Sequence, residues 1–345
     1  TRSSSQVALV TNIGGSSVTI SKVTTSNSAE FPATTTCVTT LSPGSQCNVT
    51  VSFSPTAAGA RSATFVVTSD GVGSPQSFTA SGTGTAASAN YQGLWWASPA
   101  GSESGWGINF AHQGDTIFAT WFTYDLSGTG NWLVMTAPKI AANTYSGTLY
   151  STTGPAFNSV PFNPGAVTAT AEGTGTLAFT DGNNGTFSYV IGSTSQAKAI
   201  TREVFGAIPA CNAATNLASA TNYTDLWWAS PAGVESGWGI NLTHEGTTIF
   251  GSWFTYDTTG RAMWLVVTAP QTAPGTYSGT LYRTTGPPFN SVPFNPSAIV
   301  ATPVGSATFT FANGNSATFA YTVNGISQAK AITREIFSGS GTSCQ

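Results

Sequence analysis

The sequence predicts an all-β protein: a β-sandwich over residues 1–84, then two tandem antiparallel meander β-barrels of about eight strands each, over 91–205 and 223–337. Three observations carry this prediction. Residues 91–205 recur as 223–337 at a constant shift of 132 positions with no gap, and roughly two-thirds of the aligned positions are identical, the mark of a tandem repeat. No ten-residue stretch has helical periodicity, whereas short apolar–polar alternations bounded by Gly, Pro, Asn and Asp recur throughout. The chain is 12% aromatic and only 7% charged, which excludes the aromatic-poor, highly charged composition of disorder.

In the first segment, Val49-Thr50-Val51-Ser52-Phe53 and Ala63-Thr64-Phe65-Val66-Val67 alternate in polarity. Gly14-Gly15, Ser42-Pro43-Gly44, Ser54-Pro55 and Asp70-Gly71 supply turns, a spacing that reads as a sandwich. The succession Phe31, Cys37, Leu41-Ser-Pro-Gly, Cys47, Val51-Ser-Phe-Ser-Pro-Thr, Gly59, Ser69-Asp70 and Ser81-Gly-Thr-Gly84 resembles the immunoglobulin-like modules of the abnormal-spindle/hydin type that recur in secreted bacterial proteins. Such modules usually begin with a strand that would precede Thr1, so the resemblance implies a sandwich lacking its first strand and an open β edge near Thr1. The start at Thr1, without Met, reads as a processed or excised piece.

Residues 85–90 and 206–222, rich in Ala, Ser, Thr and Asn, read as linkers. Within the first copy strands are expected near 93–97, 105–113, 116–124, 131–137, 144–151, 166–180, 185–191 and 196–205, the sixth split or bent. Short turns between consecutive strands favour a meander, and eight strands close into a small barrel without edges. Alternation places Trp106, Ile108, Phe110 and His112 on one side of their strand. It gives 117–124 two partly aromatic faces: Ile117, Ala119, Trp121 and Thr123 against Phe118, Thr120, Phe122 and Tyr124. One set fills the barrel; the surplus rings face solvent, the neighbouring barrel or a partner.

All ten Trp, all ten Tyr and both His lie in the copies, so any site is present twice. The adjacent pairs Trp95-Trp96 and Trp227-Trp228 point one ring inward and one outward. The outward ring either serves as a stacking platform for a sugar face or apolar ligand or packs under a loop or the other barrel. Glu103 beside Trp106, and Glu235 beside Trp238, set an acid against an aromatic, a pairing suited to sugar hydroxyls. Tyr124 and Tyr256 complete the candidate contacts. The block 153–164 and its twin 285–296, dense in Pro and Phe, is either a binding loop or a lid that plugs a barrel mouth with Phe157 and Phe162.

Catalysis is disfavoured by the same residues. A two-carboxylate glycosidase needs a second acid across the cleft. The acids common to both copies are Glu103, Asp125, a turn residue, and Glu203, which alternation separates from Lys198 and Arg202. His112 and His244 stand alone near turns, and no G-x-S-x-G elbow occurs.

The copies also resemble a tryptophan-rich repeat of secreted proteobacterial proteins. Leu94-Trp-Trp, Glu103-Ser-Gly-Trp-Gly, Phe118 to Asp125, Trp132-Leu-Val, Thr144 to Tyr150, Thr153-Gly-Pro and Lys198 to Glu203 carry the likeness. The resemblance implies secretion and modularity and points to no particular mechanism.

Cys37, Cys47, Cys211 and Cys344 form no CxxC and have no His at zinc spacing, so no metal or cofactor is expected. Pairing in sequence order would join Cys37 to Cys47 and clasp both ends of the second copy through Cys211 and Cys344, implying an oxidising compartment. Net charge is −3 with no cationic cluster, which disfavours nucleic acid, and no apolar run is long enough for a membrane-spanning helix. The expected function is non-catalytic extracellular binding or adhesion, secreted or at the cell surface, to a glycan, polymer or surface ligand. Two alternatives are a subunit of an extracellular fibre or array assembled by strand addition at the open edge, and the accessory region of a secreted hydrolase.

Overall fold

A computed structural model describes residues 3–56, 59–84 and 89–345, which divide after Ser88 into two compact units. Both are all-β, as the sequence predicts. The first holds β1 (Gln6–Thr11), β2 (Val18–Thr25), β3 (Ala33–Thr35), β4 (Thr40–Leu41), β5 (Gln46–Val51), β6 (Gly59–Ser69) and β7 (Gln76–Gly84). They form sheets of order β1-β5-β3 and β4-β2-β6-β7. Alternation buries Cys47, Val49 and Val51 of β5 against Ala63, Phe65 and Val67 of β6, with Ile20 and Phe31 between. The Cys37–Cys47 disulfide lies in this core. Thr1 and Arg2, where an open edge is expected, lie outside the described residues. The strand that follows them, β1, ends its sheet and leaves Val7 and Leu9 more than half exposed.

The second unit contains two closed barrels. The first comprises β8 (Gly93–Ala97), β9 (Gly107–Gln113), β10 (Thr116–Tyr124), β11 (Gly130–Ala141), β12 (Thr144–Thr153), β13 (Thr168–Phe179), β14 (Asn184–Ile191) and β15 (Thr194–Arg202). Each strand pairs antiparallel with the next, and β15 returns to β8 through Ile200↔Ala97, Thr201↔Trp96 and Arg202↔Trp95. The bend expected in the sixth segment is a bulge. Leu149 opposes Gly173 while Tyr150 opposes Ala171, leaving Glu172 unpaired in the ladder.

Residues 206–222, read as a linker, include β16 (Cys211–Ala214). The second barrel follows as β17 (Asp225–Ala229), β18 (Gly239–Glu245), β19 (Thr248–Tyr256), β20 (Ala262–Ala273), β21 (Thr276–Thr285), β22 (Val300–Asn313), β23 (Ser316–Val323) and β24 (Ile326–Arg334), then β25 (Gly341–Cys344). β16 pairs with β25, and the Cys211–Cys344 disulfide clasps the second copy.

Alternation explains which rings fill the barrels. In the first, Ile117, Ala119 and Trp121 of β10 oppose His112, Phe110 and Ile108 of β9 and Ala137, Met135 and Leu133 of β11. All nine are at most 3% exposed. Trp121 packs edge-on against Phe187 at 5.1 Å. At one end Tyr91 is stacked between Phe179, at 3.6 Å, and His112, at 5.4 Å. Tyr223, Phe311 and His244 repeat the stack.

The opposite face of β10 and its neighbours is the surplus aromatic face, and it packs against the same face of the other copy. Phe122 meets Trp264 at 5.5 Å, and Trp132 meets Phe254 at 5.0 Å. The Trp132 indole N–H donates to the Thr255 carbonyl and the Trp264 indole N–H to the Thr123 carbonyl, each at 3.0 Å. These reciprocal pairs make the contact isologous, like the two-fold interface of a homodimer written into one chain. The copies therefore form one unit rather than independent modules in series.

The Pro- and Phe-rich blocks are reciprocal plugs. The Phe157 N–H donates to the Tyr256 carbonyl at 2.9 Å, and the ring is held 6.1 Å from Trp253 inside the second barrel. The Tyr321 hydroxyl closes over it by donating to the Phe157 carbonyl at 2.8 Å. Phe289 does the same to Trp121 and Tyr189 of the first barrel. Each lid seals the other copy's mouth.

Candidate binding site at the barrel seam

The candidate contacts divide according to where the strands aim them. Trp95 and Trp227 are the inward members of their pairs, fully buried, with indole N–H groups donating to the Tyr91 and Tyr223 carbonyls. Arg202 and Arg334 cover these rings at 5.0 and 5.2 Å. No surface ligand reaches them. Tyr124 and Tyr256 are also fully buried at the seam, where their hydroxyls donate to the Gly105 and Gly237 carbonyls; burial pushes both phenols up to about 12.

Glu103 accepts from the Trp106 indole at 2.8 Å and from Lys198 Nζ at 2.6 Å, while the ammonium sits 5.2 Å from the Trp106 ring centre. Glu235, Trp238 and Lys330 repeat this arrangement. These acids fasten the 102–106 and 234–238 loops to the barrel wall. Glu103 nevertheless borders a polar recess of about 260 Å³ with Ser98, Gln196 and Pro293, and Glu235 borders a counterpart with Ser230 and Gln328.

The two histidines are structural. Tyr91 N–H donates to His112 Nδ1 at 3.0 Å, so the neutral ring carries its proton on Nε2, which faces the Tyr145 hydroxyl at 3.2 Å. Burial pushes this imidazole down to about 4, and His244 likewise. Both ring nitrogens are engaged, leaving neither as a free base.

The outward members, Trp96 and Trp228, are half-buried. Trp96 lines a cavity of about 200 Å³ at the seam with Leu94, Trp106 and Phe122 of the first barrel and Phe250, Trp264 and Val266 of the second. The Trp96 Nε1 is buried without a hydrogen-bond partner among the described residues, as is Trp228 Nε1. Glu203 also lines this cavity. Its carboxyl makes no hydrogen bond or ion pair among the described residues, and burial, reinforced by nearby Glu245, pushes it up to about 7.

Sequence reasoning proposed Trp96 and Trp106 and weighed Glu203 only as an acid catalyst. It did not single out Phe122, Phe250 or Trp264, because the pocket exists only once two copies meet. The available signal was the second aromatic face of residues 117–124.

Residues 1–83 match a family model described as HYDIN/CFA65/VesB-like, Ig-like domain. The N-terminal sandwich is thus an Ig-like domain. The match ends before the barrels, for which the tryptophan-rich repeat stands as a resemblance. No curated protein and no solved structure matches the chain.

Proposed function

We propose that this is a non-catalytic extracellular binding protein whose contact point is the seam cavity. The carrying observation is the Glu203 carboxyl, without a hydrogen-bond or ion-pair partner among the described residues, set in a wall of aromatic rings. A partly open cavity of this size suits a small molecule or the terminal group of a polymer better than a long flat chain. The non-catalytic reading rests on Glu103 being locked to Lys198 and on His112 having both nitrogens engaged. Two disulfides favour an oxidising, extracellular setting; no helix is long and apolar enough to cross a membrane, which says nothing of strands. The test is ligand retention by Trp96→Ala beside Trp95→Ala. Trp96→Ala should abolish retention while leaving the fold intact, and undiminished retention would refute the assignment.

A second reading, a subunit of an extracellular fibre, is favoured by the exposed apolar side chains Val7 and Leu9 on edge strand β1. Electron microscopy of purified protein tests it; ordered polymers would support assembly and dispersed monomers would refute it.

A further inference from the structure

From the seam cavity we infer a ligand class: the site takes a small organic ammonium group, held against the faces of Trp96, Trp106, Phe122, Phe250 and Trp264 with Glu203 as its counter-charge. This inference rests on the cavity being the binding site and adds the chemistry of what enters it.

The argument begins with the lining. Three indoles and two phenyl rings with one carboxylate make an environment in which a cation gains from ring quadrupoles on several sides and from one anion. A neutral apolar guest would leave the Glu203 charge buried and unpaired, which is unfavourable. A carboxylate guest would be repelled.

The surrounding charge points the same way. Lys198 is committed to Glu103, and the Arg202 guanidinium is committed to the carbonyls of Asn90, Gln92 and Gly182 and to the Trp95 face. Neither neutralises Glu203. Glu245, close enough to raise Glu203 further, accepts the N–H groups of Phe205 and Gly206 at 2.8 and 2.7 Å. At the pseudo-equivalent place the other copy has the neutral Gln113, which receives Phe337 N–H and Ser338 N–H in the same way. The twin of Glu203, Glu335, is likewise pushed up to about 7 by burial, so the two sides of the seam differ in the second acid, Glu245 against Gln113, rather than in the first.

The copies differ in one further respect. Phe337 packs on Phe118 at 6.1 Å, covering the counterpart of the Phe250 wall. Phe205, the counterpart of Phe337, is 40% exposed and makes no ring contact among the described residues. Its backbone N–H is held by Glu245 as that of Phe337 is held by Gln113.

The experiment is a calorimetric titration of the full chain with choline and with its uncharged isostere 3,3-dimethylbutan-1-ol, backed by tryptophan fluorescence. Choline should bind about tenfold or more tightly than the isostere. Glu203→Gln should remove that preference while leaving thermal unfolding at pH 5 at the wild-type value. Equal binding of the two probes, or a preference that survives Glu203→Gln, would overturn the ammonium assignment and leave the cavity reading standing. Failure of both probes to bind, in a protein whose Trp96→Ala variant loses no ligand of any class, would overturn both.

Discussion

Truncating Phe157 should damage the barrel in which it does not reside. The ring is 5% exposed and lies against Trp253 and Tyr321 of the second copy. Phe157→Ala keeps the backbone bond to Tyr256 and removes only the ring. Transfer of a phenyl group to water contributes about 2–3 kcal/mol, and the cavity left between two aromatic walls raises the total to about 3–5 kcal/mol. Hydrogen exchange read by mass spectrometry resolves where the loss falls. Protection should drop across β19 and β23 of the second barrel as well as in the first, and denaturant unfolding should remain a single transition at lower midpoint. A loss below about 1 kcal/mol, or faster exchange confined to 93–202 with 225–334 unchanged, would refute the reciprocal plugging.

Four further outcomes follow from the same geometry. Replacing Cys211 and Cys344 together by Ser opens a loop of sequence separation 133 and should lower stability by up to about 5 kcal/mol in the chain-entropy view, read by urea unfolding. His112 and His244, held near 4 in the fold against about 6.5 unfolded, should titrate by NMR near 4; their contribution is intact above pH 6.5 and lost as pH falls toward 4, by roughly 3 kcal/mol each. Glu203 works in the opposite sense, since its folded value is raised to about 7. Its contribution is present below about pH 4.5 and lost as pH rises through 7, so Glu203→Gln should stabilise by about 2 kcal/mol at pH 8, discounted for partial exposure, and little at pH 5. Asp225→Asn breaks the fully buried 3.0 Å pair with Arg334 and should lower stability by about 3–5 kcal/mol, measured by thermal unfolding.

Strand placement was largely legible because alternation and turn chemistry are local properties. The expected 116–124 coincides with Thr116–Tyr124, and 144–151 with most of Thr144–Thr153. Pairing in sequence order, a reading that the position of Cys211 and Cys344 around one copy suggested without deciding it, is the pairing the fold shows. The seam was not legible in the same way. Alternation shows that β10 has two aromatic faces, but Phe122 and Trp121 look equally suited to a core until the partner surface is known. Likewise nothing local in Trp95-Trp96 decides which ring turns inward; closure of β15 on β8 decides it. Glu203 was visible as an acid, but its isolation among rings comes from the fold of two copies 132 residues apart.

The self-complementary contact between the copies bears on how such a molecule can be dismantled. A lone repeat, cut free of its twin, would present Phe122, Trp132 and an unplugged mouth to water, and the patch that best satisfies them is the one on another lone repeat. Excised halves should therefore reassociate in pairs, each offering its Phe157 hook to the other. The fused chain removes the dilution penalty of that encounter, and it lets one half acquire a glutamate at position 245 while the other keeps a glutamine at 113, a divergence that no pair of identical subunits can have.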